Sequence, residues 1–247
     1  CQARSRCRGC SRGIRGRTHG TVTGPGIQFD GVGYAVADTQ ILRDVSVSLT
    51  ARSTAVIGAN GSGKSTFARL LNALRLPTAG TVRVLGLDPL SDAAELRSRV
   101  GFVFTNPEAQ ILMPTPAEDL ALSLGALPKK ERPARIEALL AQYWLAGRGD
   151  QPASDLSGGQ RQLLAIAAVL ATEPDLVVAD EPTTLLDLHN ARRISDLLLG
   201  LEVPVVIVTH DLELAARCEQ AVLFVEGTVA AVGMPDEVIE RYRRIPG

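Results

Sequence analysis

The sequence predicts an α/β fold with a mainly parallel sheet, on the strength of three observations. Short, apolar and β-branched segments alternate with segments of helical periodicity. A glycine-rich loop lies between one of these strands and the helix that follows it. Between residues 107 and 156 the alternation breaks, and prolines separate helix-like pieces, which predicts an inserted helical subdomain.

The predicted strands are short runs of apolar residues, as expected for parallel strands that are buried on both faces. In chain order they are Ala55–Ile57, Thr81–Val84, Gly101–Phe104, Leu176–Ala179, Val205–Val208 and Ala221–Val225. The predicted helices are Lys64–Ala73, Arg135–Tyr143, Arg192–Leu199 and Leu212–Cys218, of which the second belongs to the helical subdomain. This order places helices on the faces of the sheet.

Residues 1–26 form a leader that is unlike the body of the chain, residues 27–247. The leader holds six arginines and no acidic residue, and it lacks apolar periodicity, so we expect it to be disordered. It also lacks the apolar stretch of a secretory signal. Three interpretations stay open: an artefact of where the sequence starts, since it does not begin with Met; a solvated basic tail; or a metal site. The metal site would use Cys1, Cys7, Cys10 and His19, whose spacing matches no standard zinc pattern.

The composition excludes several classes of protein. Without the leader the chain has 20 basic and 27 acidic residues, a net charge of −7 against −1 for all 247 residues. An acidic body argues against a general nucleic-acid binder, and its near lack of cysteine argues against a disulfide scaffold. The longest apolar run, Leu163–Ala171, is too short to span a bilayer. We therefore expect a chain that is soluble or is held at a membrane by other subunits.

The glycine-rich loop Gly58–Ser65 satisfies the pattern G-x-x-x-x-G-K-[ST] between a strand and a helix. Its glycines let backbone N–H groups turn toward phosphate oxygens, and the helix N-terminus adds a positive dipole end. Lys64 is expected at the β- and γ-phosphates and Ser65 at Mg²⁺. The predicted nucleotide-binding residues here are Gly58, Asn60, Gly61, Ser62, Gly63, Lys64, Ser65 and Thr66.

Two further strands end in polar residues that fit the same site. Asp180 and Glu181 follow an apolar strand, and a buried acid at that position needs a cation, so we expect Asp180 beside Mg²⁺. Glu181 is then expected to position or deprotonate a water at the γ-phosphate. The alternative, an ordinary acidic turn, is disfavoured by the phosphate loop upstream. His210 follows another strand and can hydrogen-bond the γ-phosphate at the sheet edge, although a structural role is the alternative.

The segment Leu156–Gln162, LSGGQRQ, closely resembles the signature of the ATP-binding-cassette (ABC) ATPases. Residues 28–240 line up with that family in order, which implies its P-loop fold with an antiparallel β part near the N-terminus. The resemblance implies that Tyr34 stacks on adenine and that Gly58–Ser65 is the Walker A motif. It further implies a Walker B strand that ends in Asp180 and catalytic Glu181, and a switch histidine at His210. Asp187 takes the D-loop position, where Leu185 and Leu186 replace the usual small residues.

Members of this family work as head-to-tail dimers that are closed by ATP. The resemblance implies that the signature residues Ser157, Gly158, Gly159 and Gln160 close over the γ-phosphate held by the partner's Walker A loop. Ser157 is a plausible cap for a helix whose N-terminus is an anion site. A monomer alone would therefore leave its active site incomplete.

Thr105 stands where the family has a glutamine that contacts Mg²⁺ and the attacking water. Its shorter side chain still carries a hydroxyl that could ligate the metal. Gln110 follows five residues later and is expected to point elsewhere. We therefore expect turnover to be slow.

The segment around Thr105 also narrows the family. Asn106, Pro107 and Gln110, followed by Met113–Thr115 and Glu118–Asp119, resemble the coupling segment of energy-coupling-factor (ECF) importers. In those importers this segment forms a short helix that faces the transmembrane coupling protein. Phe104–Thr105 resembles the biotin branch, while cobalt or another vitamin stays open as the substrate.

The resemblance also implies cofactors, partners and a location. The cofactors are ATP and Mg²⁺. The partners are a second ABC ATPase chain, identical or paralogous, a transmembrane coupling protein and a substrate-binding membrane protein, with no nucleic acid. The implied location is peripheral, at the cytoplasmic face of a bacterial-type plasma membrane.

Two other functions compete with import. A soluble ABC ATPase acting on nucleic acid or the ribosome usually has two cassettes or a long coiled coil, and this sequence has one cassette and no sustained heptads. A regulatory cassette would bind ATP without turnover, which Glu181 and His210 disfavour and Thr105 mildly favours.

Overall fold

Two sheets organise the fold in the computed structural model, which describes residues 26–184 and 186–245. The strands are β1 (Ile27–Val36), β2 (Thr39–Leu49), β3 (Ser53–Gly58), β4 (Ala79–Arg83), β5 (Val100–Val103), β6 (Leu176–Asp180), β7 (Val205–Val208), β8 (Gln220–Val225) and β9 (Thr228–Gly233). The helices are α1 (Lys64–Leu71), α2 (Ala93–Arg99), α3 (Pro116–Ser123), α4 (Arg132–Gln142), α5 (Gly158–Leu170), α6 (Leu188–Leu199), α7 (Leu212–Ala216) and α8 (Pro235–Arg243). Short 3₁₀ turns span Pro107–Ala109 and Ala153–Asp155.

The larger sheet has the strand order β5-β6-β7-β3-β8-β9. All of its pairs are parallel except β8–β9. Its central strands β3, β6 and β7 are buried along their whole length, as their unbroken apolar sequences predict. Because these strands are parallel, their carboxyl ends meet at one edge, and the residues that follow them come together there. The predicted α/β fold with a mainly parallel sheet is confirmed.

The smaller sheet is antiparallel, with the order β2-β1-β4, and confirms the antiparallel N-terminal part. The prediction of a parallel strand at Thr81–Val84 is wrong, since this segment pairs antiparallel with β1, with Val82 opposite Phe29. Only Val82 is buried in β4, and the polar Thr81 and Arg83 alternate with it. That alternation is typical of an antiparallel strand with one solvent-facing side.

Some helix bounds differ from the predicted ones because of local caps. α6 begins at Leu188 rather than at Arg192, since the Asp187 side chain accepts a hydrogen bond from the Asn190 backbone and caps the helix. α1 ends at Leu71, and Ala73 just beyond it has a left-handed φ of 57°. α4 begins at Arg132, three residues before the predicted start.

Helix α5 lies between the sheet and the helical pieces of residues 107–156. Its Leu163 and Ile166 pack in the core cluster on one face of the larger sheet. Its Leu164 and Ala167 pack in a separate cluster with residues of α3 and α4 such as Leu120. Within the residues that the structure describes, no helix combines the length and the apolar character needed to cross a membrane.

The predictions made for the leader, including the site of Cys1, Cys7, Cys10 and His19, lie outside the described residues. So does Leu185 of the D-loop.

Candidate functional site

The phosphate loop joins β3 to α1, and its backbone requires glycine at three positions. Gly58, Gly61 and Gly63 have φ values of 145°, 79° and 100°, which L side chains rarely adopt. A Cβ atom at Gly58 would lie 2.2 Å from the Phe224 carbonyl oxygen, and one at Gly63 would lie 2.7 Å from the Leu42 side chain. Glycine is therefore required here by the backbone conformation and, at Gly58 and Gly63, by close contact with strands β8 and β2.

Polar groups of the loop fit a polyphosphate. The Lys64 ammonium donates hydrogen bonds to the carbonyl oxygens of Gly58 and Ala59, both at 2.9 Å. Burial lowers the pKa of Lys64, while the nearby carboxylates of Glu181 and Asp180 raise it again in part. The buried Ser62 hydroxyl has no hydrogen-bond partner within the described part of the chain. A buried hydroxyl of this kind costs free energy unless a ligand satisfies it, and phosphate oxygens would do so.

The remaining loop residues surround these groups. Asn60 is exposed at the tip of the loop, and Thr66 is half-buried in the first turn of α1. Unpaired N–H groups at that helix start add to the attraction for anions. The loop as a whole therefore fits the phosphates of a nucleotide.

Ser65 and Asp180 meet where α1 faces the end of β6. The Ser65 hydroxyl donates a hydrogen bond to Asp180 Oδ1 at 2.9 Å, and Asp180 is only 1% exposed. Burial raises the pKa of Asp180, and the Ser65 hydrogen bond and the Arg69 guanidinium, 3.6 Å from Oδ2, counteract this shift. A buried carboxylate beside a hydroxyl supplies the oxygen ligands that Mg²⁺ prefers. These two residues therefore fit a metal ion at the nucleotide.

Thr105 contacts the backbone of the same aspartate. Its hydroxyl donates a hydrogen bond to the backbone carbonyl oxygen of Asp180 at 2.8 Å, which ties together the ends of β5 and β6. Gln110 points into the protein, where its amide bonds the backbone of Phe102, Phe104 and Ala165. Of these two side chains, only that of Thr105 contacts one of the candidate metal ligands, through the Asp180 backbone.

Glu181 and His210 form a hydrogen-bonded pair at the sheet edge. Glu181 Oε2 lies 2.6 Å from His210 Nδ1 and also accepts a hydrogen bond from the Thr184 hydroxyl at 3.2 Å. Glu181 has a left-handed φ of 54°, which is a strained conformation for a non-glycine residue. The carboxylate is thus held by two side chains next to Asp180, in a position suited to accept a proton from water.

The signature residues begin helix α5 with a complete capping box. The Ser157 hydroxyl accepts a hydrogen bond from the Gln160 backbone, and the Gln160 side chain accepts one from the Ser157 backbone. Ser157 and Gly158 are exposed, whereas Gly159 is buried. Within residues 26–184 and 186–245, no hydrogen bond joins these residues to the phosphate loop. The structure thus brings the residues at the ends of β6 and β7 together with the phosphate loop. The signature residues are not hydrogen-bonded to that loop.

Comparison with known proteins identifies the family. The sequence model of the family described as ABC transporter matches residues 42–184, more than half of the chain. The chain belongs to the ABC transporter ATPases. It is therefore an ATPase of the type that powers transport, and it binds ATP.

Two curated relatives of this ABC ATPase are named for transport. The biotin transport ATP-binding protein BioM of Rhizobium etli is 41% identical over 221 residues, covering 89% of this chain and 98% of the relative. The energy-coupling factor transporter ATP-binding protein EcfA1 of Lacticaseibacillus paracasei is 34% identical over 213 residues, covering 83% and 77%.

Two solved structures share its fold. CbiO1 of Clostridium perfringens, described as part of the ABC transporter complex cbiONQ, superposes with a TM-score of 0.77 at 29% identity, covering 89% of this chain and 93% of that one. A dimeric ATP-binding cassette in a post-hydrolysis state, bound to ADP and Pi, superposes with a TM-score of 0.75 at 30% identity, covering 85% and 98%.

Tyr34 of this ABC ATPase does not offer an open ring face. It pairs with Leu42 in the antiparallel sheet, and the residue is 7% exposed within the core that includes the small sheet. Stacking on adenine, which the resemblance implies for Tyr34, needs an accessible ring face. Stacking on Tyr34 would require the ring to be uncovered, and it stays a prediction.

Asp187, at the D-loop position, caps helix α6. Its carboxylate accepts hydrogen bonds from the Asn190 backbone at 2.9 Å and from the Asn190 side chain at 2.6 Å. These hydrogen bonds, led by that from the Asn190 backbone, hold the pKa of Asp187 below its usual value.

Three contacts of the ABC ATPase site were missed by sequence reasoning: those made by Arg69, Thr184 and Asn190. Arg69 lies four residues after Ser65 and thus on the same face of α1, which is a signal available from spacing. Thr184 and Asn190 each lie three residues after an acidic residue that they bond, Glu181 and Asp187.

Proposed function

We propose that this ABC ATPase hydrolyses ATP with Mg²⁺ to drive import of a vitamin or metal ion through an ECF-type membrane complex. One observation carries the catalytic part: Glu181, bonded to His210, lies beside Asp180, which is bonded to Ser65, at the edge of the sheet that carries the phosphate loop. When bound, Mg²⁺ supplies positive charge at the β- and γ-phosphates.

The protein's own residues divide the remaining work. Lys64 and the loop N–H groups hold the phosphates, and Ser65 and Asp180 hold the metal, with the Thr105 hydroxyl as a candidate for a further ligand. Glu181 accepts a proton from the attacking water, and His210 keeps its carboxylate aimed at the γ-phosphate. The two residues form the catalytic pair in this proposal.

The signature residues are proposed to act on a second chain, identical or paralogous. Ser157 and Gly158 are exposed at the N-terminus of α5 and bond no residue of their own phosphate loop within the described ranges. A related cassette forms a dimer bound to ADP and Pi. A head-to-tail dimer would place the Ser157–Gln160 turn, with its anion-attracting helix end, over the partner's γ-phosphate.

A groove between the helical insertion and the sheet supports coupling to a membrane subunit. It has a volume of about 370 Å³, and its walls include Phe104, Gln110, Leu112 and Leu122. Leu112 and Leu122 are 71% and 55% exposed, so apolar surface faces out of the groove. Such surface is typical of a protein contact site. We propose that the transmembrane coupling protein docks here, next to the turn that contains Asn106 and Pro107.

The names of the relatives favour an importer. In this proposal a substrate-binding membrane protein is the third partner, and the ATPase binds peripherally at the cytoplasmic face of the plasma membrane. Biotin is the first candidate for the substrate because BioM, named for biotin transport, is similar over nearly its whole length. A cobalt ion and vitamins other than biotin stay as alternative substrates. The relatives do not favour action on nucleic acid or the ribosome. Residues 27–247 form the proposed ATPase domain and about 107–156 its helical subdomain.

Glu181→Gln tests the catalytic proposal. Replacing the proposed base should lower ATP hydrolysis by a factor of about 100 or more while ATP binding is retained. Steady-state phosphate release and nucleotide binding measure the two effects, and Glu202→Gln, an exposed acid away from the site, serves as the matched control. Parent protein that hydrolyses no ATP even when reconstituted with its membrane partners would refute the motor function. Uptake of labelled biotin or cobalt by the reconstituted complex then decides the substrate.

A further inference from the structure

The two signature glycines have different surroundings. A Cβ atom at Gly158 would meet nothing within 4 Å. A Cβ atom at Gly159 would lie 2.6 Å from Cγ and 2.8 Å from Nδ2 of Asn190. Real Cβ atoms do not approach so closely, so glycine at 159 allows the Asn190 amide to lie against the start of helix α5. Gly158 therefore has open space beside it that a ligand could enter, whereas Gly159 packs against the Asn190 side chain of α6.

The same amide group also holds the D-loop residue. Asn190 Nδ2 donates a hydrogen bond to Asp187 Oδ2 at 2.6 Å, and the Asn190 backbone donates to Oδ1 at 2.9 Å. Both carboxylate oxygens of Asp187 are therefore fixed by one residue. Hydrogen bonds to a charged group are stronger than neutral ones, so this contact orients the D-loop carboxylate.

We infer that Asn190 is a positioning residue that fixes the signature turn and the D-loop carboxylate relative to each other. One side chain touches Gly159 of α5 and Asp187 before α6, so a shift of either element moves the other. The inference rests on the proposed head-to-tail dimer, in which the signature must reach a nucleotide on the second chain. Asn190 itself need not touch the nucleotide.

Asn190→Leu tests this role, because leucine keeps the size of the side chain and loses the side-chain hydrogen bond to Asp187 Oδ2, while the backbone hydrogen bond to Oδ1 stays. The variant is made in a Glu181→Gln background, which keeps ATP intact, and ATP-driven dimerisation is measured by sedimentation. We expect the dimer dissociation constant to rise about tenfold, because the signature turn and the D-loop carboxylate are then no longer held in the arrangement that the dimer needs. ATP affinity of the monomer should stay within about twofold, because the phosphate loop is untouched. Arg192→Ala, exposed on the same helix, is the matched control.

A second pair of variants tests the contact from the other side. Gly159→Ala places a methyl group on the Asn190 amide and should weaken dimerisation. That loss should be clearly smaller when Asn190→Ala makes room for the methyl group, because the two changes are then coupled. A Gly159→Ala loss of equal size in both backgrounds would show that the methyl group acts elsewhere, and would overturn the inference.

The outcomes separate the inference from the function on which it rests. If the Glu181→Gln parent forms no dimer with ATP, the proposed dimer itself is wrong. If the parent dimerises and Asn190→Leu dimerises equally well, only the positioning role is wrong. Loss of the melting transition and of monomer ATP binding in Asn190→Leu would show a purely structural role and would also overturn the inference.

Discussion

Thr105 occupies the place of a metal-contacting glutamine in the family, yet its strongest contact is with the protein backbone. Its hydroxyl donates to the carbonyl oxygen of Asp180 at 2.8 Å and so links two strand ends beneath the proposed metal site. Thr105→Val keeps the shape of the side chain and removes this hydrogen bond. We expect a loss of about 1 kcal/mol in the free energy of unfolding, or about 2–4 °C in Tm, and a lower ATPase rate.

Thr105→Ser is the control, because it keeps the hydroxyl and should retain most of the stability and rate. Thermal melting and phosphate release measure both quantities. A Thr105→Val variant with parental Tm and parental turnover would show that the hydrogen bond contributes nothing.

Most of the site residues that the sequence predicted lie in motifs that are defined by short-range spacing. The phosphate loop, the Asp180–Glu181 step and the signature turn each lie within one segment, so their identity is readable without a fold. The close pairing of Glu181 with His210 depends on two neighbouring strands and on side-chain rotamers. Burial of Tyr34 depends on the opposite sheet strand, which the local sequence around the residue does not show.

At the scale of elements, runs of apolar residues predict the central strands well. They predict poorly a strand that is buried on only one face. β6 and β7 are formed mainly by apolar residues, and their predicted bounds lie within one residue of the observed ones. β4 has one buried residue, and its pairing with β1 is set by a strand some fifty residues earlier. Direction of pairing is a tertiary property, so a β-branched run alone does not determine it.

Helix α4 ends beside a buried tyrosine that makes the helical subdomain sensitive to alkaline pH. Burial raises the pKa of Tyr143, and Arg135 offsets this shift only in part. In the unfolded chain the phenol ionises near its ordinary pKa of 10.0, while in the folded protein it stays neutral to higher pH. Stability is therefore unaffected by this group below pH ~10 and falls as the pH rises above that value.

Tyr143→Phe removes the ionisable group and should remove this part of the alkaline loss. Urea unfolding at pH ~8 and pH ~10.5 should show the parent losing stability relative to the variant only at the higher pH. Tyr242→Phe on α8 controls for the loss of a hydroxyl. A parent-to-variant difference that is the same at both pH values would contradict the assignment.

At the scale of the whole molecule, helix α5 joins the helical insertion to the sheet. Leu163 and Ile166 belong to the sheet core, and Leu164 and Ala167 belong to the core of the insertion. The signature turn begins this same helix, so its position depends on both cores at once. Because each core packs on one side of a shared helix, neither should unfold without exposing the other.

Trp144 and Arg193 add a second connection and a way to observe it. The Arg193 guanidinium lies 4.1 Å from the centre of the Trp144 ring, joining the second residue after α4 to helix α6. Trp144 is the one tryptophan of the chain, so its fluorescence reports on the insertion and its contact with α6, while far-UV circular dichroism reports on the whole fold. We expect both signals to melt in one transition. Arg193→Ala should lower the free energy of unfolding seen by both by about 0.5–1 kcal/mol, and Arg192→Ala should not. Fluorescence that melts well before the dichroism signal would show that the insertion unfolds independently, because the shared helix then fails to couple the two cores.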